Sequence, residues 1–235
     1  MLRTCLLLCL IFCYGRLFAQ DVERQRVIDS AAIEYLRIAE KQSTLYYGYE
    51  QAGFMAAINH PYLNDAQYVK ARLSYRQVIY PDELLRLDLS RDELIIFSPD
   101  FRNVVLYPED VDYAEMQGRV IIYHRRDSLL GCPSSGYYIL LHSEKCKVLE
   151  KKTVSLKNVA GHYAAFEYVL TTNFYLCKDD VYYSVGSRRK LLKALNPYKK
   201  ELKRFISTNH LRFRKNAEEF LIRTVREYEK ISESR

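Results

Sequence analysis

The sequence predicts an α+β protein: a mainly antiparallel β-sheet body with an N-terminal helix and a C-terminal set of amphipathic helices. Three observations carry that expectation. Residues 84–124 read as four short strands in quick succession. Leu85, Leu87 and Leu89 alternate with Arg86 and Asp88, and short apolar runs follow at 94–97, 104–107 and 119–123. Turn chemistry separates these runs, at Ser90-Arg91-Asp92, Ser98-Pro99-Asp100 and Gln117-Gly118. Connections this short join only antiparallel neighbours, because parallel pairing needs a crossover of a dozen or more residues. Beyond Gly186 the apolar period lengthens from two to that of a helix.

Residues 1–20 have the form of an export leader. Arg3 precedes an apolar run from Cys5 to Tyr14, and Leu17-Phe18-Ala19-Gln20 supplies a small-residue junction. The run is about 10 residues, against roughly 20 needed to span a bilayer. Neither Cys9 nor Cys13 follows a small residue, as a lipid-attachment cysteine would. Cleavage near Ala19 or Gln20 is expected, with no transmembrane span in the mature chain. Three domains of organisation follow: a leader over 1–20, a β-rich body with its helix over 21–186, and a basic helical segment over 187–235 packed on that body.

Within the body, the spacing of Ile28, Ala32, Tyr35 and Ala39 predicts a helix over 22–41. Residues 45–49 are Tyr-rich and β-prone, and Asn59-His60-Pro61 is a loop. Residues 68–80 read as one or two strands, with Pro81-Asp82 leading into the sheet. Arg125 to Ser135 reads as a loop around Gly131-Cys132-Pro133. Hairpins are expected about Ser143-Glu144 and about Lys178-Asp179-Asp180, while 158–170 is ambiguous because Ala160, Ala164 and Ala165 allow a helical turn. In the last segment Ser187 caps one helix, Asn196-Pro197 opens a second, and Asn216 with Glu219 resembles a capping box. Phe220, Leu221, Thr224, Tyr228 and Ile231 form the apolar stripe of the last helix.

Charge is unevenly placed. The formal charge is +7, and loss of Arg3 and Arg16 with the leader leaves +5. Residues 187–215 hold eleven Lys/Arg and one acid, Glu201, a local +10 that puts the rest of the mature chain at −5. Arg188, Arg189, Lys190, Lys199, Lys200, Lys203, Arg204, Arg212, Arg214 and Lys215 are therefore the candidate binding residues, for an anionic envelope surface or an acidic protein. A solvated face that only keeps the protein soluble is the competing explanation. Nucleic acid is not expected as a partner of an exported chain.

Catalytic signatures are sparse. No His-Glu-x-x-His, Gly-x-Ser-x-Gly or phosphate-cradling glycine loop occurs, and the chain has eight glycines in all. Ser187-Arg188-Arg189-Lys190 matches Ser-x-x-Lys, but a serine there is a natural helix cap. Cys132 could meet His124, His142 or His162 only through the fold. Cys132, Cys146 and Cys177 remain after the leader, an odd number without metal-ligand spacing, which favours buried thiols over a disulfide framework. Glu109, Asp110 and Asp112 lack the spacing of a calcium loop and read as a solvated turn. In the tyrosine pairs 46–47, 137–138 and 182–183, one member of each is expected in the core, since neighbours on a strand face opposite ways. No catalytic residue, metal or cofactor is assigned.

Leu45-Tyr46-x-Gly48, Asn59-His60-Pro61-Tyr62, Tyr75, Tyr80 and the Leu87-Asp88-Leu89 strand resemble exported proteins of unknown function from Bacteroidetes-type bacteria. Phe205-Ile206 and Asn209-x-Leu211-x-Phe213-x-Lys215, before a final amphipathic helix, extend that resemblance to the tail. The resemblance implies export and a β-then-α layout, and no activity. The expectation is an exported cell-envelope protein that binds or scaffolds a partner. The alternative is a hydrolase of an envelope polymer or peptide whose site assembles only in three dimensions.

Overall fold

The structure is a computed structural model that describes residues 39, 44–53, 57–126, 134–159 and 166–234. The chain divides into two units, Met1–Tyr47 and Gly48–Arg235. Of the first, the described part ends in a turn in which the Tyr47 N–H donates to the Thr44 carbonyl at 3.3 Å. The expected leader, and the expected helix over 22–41 apart from Ala39, lie outside the described residues.

The second unit is one antiparallel sheet followed by helices. Its strands are β1 (Tyr49–Glu50), β2 (Val69–Tyr75), β3 (Val78–Asp88), β4 (Glu93–Phe97), β5 (Asn103–Val105), β6 (Val111–Met116), β7 (Arg119–His124), β8 (Gly136–Ser143), β9 (Lys147–Asn158), β10 (Phe166–Lys178) and β11 (Val181–Ser184). They lie in the order β1-β5-β4-β3-β2-β6-β7-β8-β9-β10-β11. Two meanders thus start from the centre: β2 to β5 runs one way, and β6 to β11 starts on the free side of β2 and runs the other. Three helices close the chain: α1 (Arg188–Ala194), α2 (Lys199–Thr208) and α3 (Ala217–Glu233).

This corrects the expected α+β layout with an N-terminal helix. The described chain is mostly one eleven-stranded sheet and about 23% helical, with its α-helices C-terminal and no N-terminal helix among the described elements. The sequence undercounts the sheet because strand patterning persists past the marked ends. β9 and β10 run 12 and 13 residues. They absorb the ambiguous stretch from Phe166 onward, while Ala160, Ala164 and Ala165 lie outside the described residues. β3 runs 11 residues straight through Pro81. The β2–β3 register shifts between Ala71 and Leu73, opposite Pro81-Asp82, so a bulge takes up the residue that cannot donate.

Local chemistry sets the turns. Gln117 and Gly118 both have positive φ, 51° and 72°, as the twist-matched two-residue hairpin turn requires. Arg76-Gln77 adopts the same hand without glycine, at 51° and 62°. It is held from below. Asp112 accepts from the Gln77 N–H and Ser74 hydroxyl at 2.7 and 2.8 Å, and Asp110 accepts from Arg76 at 2.7 Å. The acidic group expected to be a solvated turn is, for Asp110 and Asp112, this support. The Asn196–Pro197 peptide is cis, and α2 starts two residues after the proline, with Tyr198 as its N-cap.

The sheet curls. Although β2, β6 and β7 separate β3 from β8, the β3–β4 turn reaches β8 and β9: the Val154 N–H donates to the Leu89 carbonyl, and Asp92 accepts from the Tyr137 N–H. Leu73, Leu85, Leu94, Ile96, Ala114 and Ile121 are fully buried in the body. A second core joins Val148, Phe174 and Leu176 of the sheet to Leu191, Leu202, Ile206, Phe220, Leu221 and Val225 of the helices. Tyr137 and Tyr138 are both buried, at 2% and 1% exposure, so this part of the sheet is covered on both faces, not the one expected for such a pair.

Leu87, at 3% exposure, is core as its alternation requires. Arg86 does not sit on a simple solvated face. Its guanidinium lies 3.8 Å from the Tyr62 ring centroid and 4.3 Å from that of Tyr68, and it donates to the Ala66 carbonyl at 2.9 Å. Leu87→Ala should cost about 2–5 kcal/mol. Arg86→Ala should cost about 1–3 kcal/mol, since it removes a sandwiched cation and its hydrogen bonds. Urea melts of both variants check this, and an Arg86→Ala loss no larger than that of a surface change would show that the stack contributes nothing.

Candidate functional site

The basic segment is built on three helices whose apolar sides are already committed. Leu191, Leu192, Leu202 and Ile206 are buried against the sheet and α3. This anchoring forces the remaining helix positions outward. Arg188, Arg189 and Lys190 occupy the first turn of α1. Lys199, Lys200, Lys203 and Arg204 lie on α2, where the three- and four-residue spacings make neighbours of 199 and 203, of 200 and 204, and of 200 and 203. Arg212, Arg214 and Lys215 lie in the α2–α3 connection. They alternate with Leu211 and Phe213, which pack into the core; the Phe213 ring stands 5.6 Å from that of Phe220. All ten cations are exposed, and none is ion-paired to a described residue.

Two hollows interrupt this segment. One, of about 360 Å³, brings Arg212 and Lys215 together with Asn209, His210 and Arg223. Arg223 escaped the sequence analysis because it belongs to α3, outside the basic run. Its guanidinium donates to Asn209 at 2.8 Å and pairs with Glu219 at 3.2 Å. The other, of about 480 Å³, sets Lys190 and Lys193 beside Tyr182, Tyr183 and Ser184 of β11. Arg214 lines neither.

The groups of the hydrolase alternative are placed elsewhere. The Ser187 hydroxyl accepts from the Lys190 N–H at 3.3 Å, so the Ser-x-x-Lys pattern is a helix cap. Asn216 caps α3 in the same way, accepting from the Glu219 N–H at 3.0 Å. Cys132 and His162 lie outside the described residues. Cys146 and Cys177 are buried, and burial, then the nearby Glu229 carboxylate, pushes the Cys146 thiol up to about 11. His124 packs against Tyr138 and Tyr182, and burial lowers its pKa.

Three contacts between titratable side chains hold the body together and fasten α3 to it. His142 Nε2 lies 2.8 Å from Glu229 Oε2, and the Cys146 N–H donates to Glu229 Oε1 at 2.7 Å, so α3 is fastened to the β8–β9 hairpin. The His142, Glu144 and Glu229 ligand atoms lie within 4.8 Å of one another, but both oxygens of Glu229 are already engaged in this clamp. Near the other end of α3, Arg119 bridges Glu218 at 3.1 Å and the buried Glu150 at 3.3 Å. Burial raises the Glu150 pKa, against the opposing pull of Lys152 and Arg119. Lys151 Nζ lies 2.6 and 2.7 Å from the two oxygens of Asp92 and donates to the Tyr137 carbonyl at 2.9 Å. Burial lowers the Lys151 pKa, although Asp92 pulls the other way. Gly136, at φ 145°, leaves the space these two side chains fill. A partial signal for Glu229 was present: it follows Leu221 and Val225 at four-residue spacing, on the buried side of α3.

No described helix is long and apolar enough to cross a membrane. No family model, no curated protein and no solved structure matches the chain.

Proposed function

We propose that this is an exported protein of the cell envelope, periplasmic or on the cell surface, that binds or scaffolds an anionic partner through its basic helical segment without catalysing a reaction. The observation that carries the proposal is the set of ten exposed cations, unpaired among the described residues, on helices whose other side is anchored in the core. The leader-like pattern of residues 1–20 supports export. An anionic membrane surface or an acidic protein is the partner that fits.

Charge attraction of this kind weakens with salt, because the screening length falls from about 10 Å at 0.1 M to about 3 Å at 1 M. The mature protein is expected to bind vesicles rich in phosphatidylglycerol at low ionic strength and to release them at high salt. Changing Lys199, Lys200, Lys203 and Arg204 together to Glu should abolish that binding with the circular-dichroism spectrum unchanged. Absence of salt-sensitive binding by the unaltered protein, on vesicles and on an acidic protein column, defeats the proposal and leaves a solvated face.

A further inference from the structure

Among the described residues, the outer edge of β10 is covered in two places and open between them. In an antiparallel ladder, alternate residues turn their N–H and C=O to one neighbouring strand, and those between turn to the other. Three contacts identify the outward set. The Phe166 carbonyl accepts from the Ile58 N–H at 2.9 Å. Both main-chain groups of Tyr168 are engaged by the Asn59 side-chain amide, at 2.7 and 2.9 Å. The Phe174 carbonyl accepts from the Val185 N–H at 2.9 Å. Leu170 and Thr172 have the same parity and lie between these contacts. β11 pairs only from Tyr175 to Lys178, so it leaves them uncovered. Among the described residues no hydrogen-bond partner meets their outward N–H and C=O groups.

Exposed edges are normally defended by charge, proline or a covering loop. Here Leu170-Thr171-Thr172-Asn173 is exposed, uncharged and β-prone. Its register puts Leu170 opposite Val154 and Tyr168 opposite Leu156, so these four side chains share one face. On that face Leu170 is 53% and Leu156 37% exposed.

We propose that this gap is a strand-addition site for a short extended segment of a partner polypeptide. The incoming main chain bonds to Leu170 and Thr172, and an aliphatic side chain packs beside Leu170 and Leu156. The window between the Tyr168 and Phe174 positions spans roughly 20 Å at about 3.3 Å per residue, room for a segment of about four residues. The β10 edge of a second copy of this chain does not fit. Its own β10, laid antiparallel across the window, would run on into Asn59 at one end and Val185 at the other. The occupant is therefore a chain end or the tip of a loop, with β-branched, uncharged residues.

Amide hydrogen exchange tests this directly. In the free protein Val169 and Thr171, bonded to β9, should exchange slowly, and Leu170 and Thr172 fast. The probe is a soluble peptide of alternating valine and threonine with glycine–serine ends, in millimolar excess. It should slow exchange at Leu170 and Thr172 by about tenfold or more. The same peptide N-methylated on every amide, which blocks both of its edges, should have no effect. Salt at roughly 0.5 M should leave the protection unchanged, which separates this contact from the charge-driven one. Slow exchange at Leu170 and Thr172 in the free protein, no slowing by the peptide, or equal slowing by the methylated peptide each overturns the proposal.

Discussion

Glu229→Ala is expected to destabilise the protein by about 3–5 kcal/mol, the cost of leaving a buried partner uncompensated. The side chains of His142 and Glu229 are 2% and 4% exposed, so water cannot replace what is lost. The substitution strands two donors at once, the His142 ring and the Cys146 N–H. It also empties a position between α3 and the β8–β9 hairpin. Glu229→Gln keeps an acceptor for Cys146 and should cost clearly less. Chemical denaturation of the three proteins decides the matter, and a Glu229→Ala loss under about 1 kcal/mol would show that the pair only breaks even against its desolvation.

Asp92→Ala should be comparably damaging near neutral pH, at about 3–5 kcal/mol, because the Lys151 side chain is only 7% exposed and loses its counter-charge. The sign of its pH dependence is fixed by Lys151. Burial already holds the folded-state pKa of that lysine below the ordinary 10.5, and removal of Asp92 lowers it further. Between the folded value and 10.5 the unfolded chain binds the extra proton, so stability of the variant rises with pH across that window. The deficit relative to the parent should therefore shrink as pH climbs toward 10.5. Denaturation curves at neutral pH and near pH 10 read it out, and a deficit that stays constant or widens would mean that lost contacts at Tyr137, not an unpaired cation, dominate.

What was legible in the sequence was local. Leu85, Leu87 and Leu89 declare their buried face by alternation, and Asp179-Asp180 and Ser143-Glu144 declare hairpins. Ser187 and Asn216 declare helix caps, because a cap is chemistry within three residues. The ten cations of the basic segment were found because they fall off an apolar stripe. Contacts between distant positions left no such trace. Lys151 sits in a strand whose neighbours give no hint of Asp92, and Arg86 reads as a solvent-facing residue until Tyr62 and Tyr68 close over it. β6 was missed because Val111, Ala114 and Met116 are spaced irregularly between acids. β3 was cut short because proline normally ends a strand, and only the bulge opposite Pro81 permits otherwise.

The order of the elements has a consequence for synthesis on the ribosome. β2 to β5 form a complete meander as soon as they emerge, since each pairs with its predecessor. β8 to β11 can pair in the same way, but among the described residues the side of that sheet carrying Val148, Phe174 and Leu176 is covered by the segment from α1 to α3. Phe220, Leu221, Val225 and Tyr228, which complete that cover, are made after every strand of the sheet. A growing chain thus carries a paired first meander and an apolar, uncovered face on the later strands until α3 has emerged. That interval is when the nascent chain most needs shielding from its neighbours.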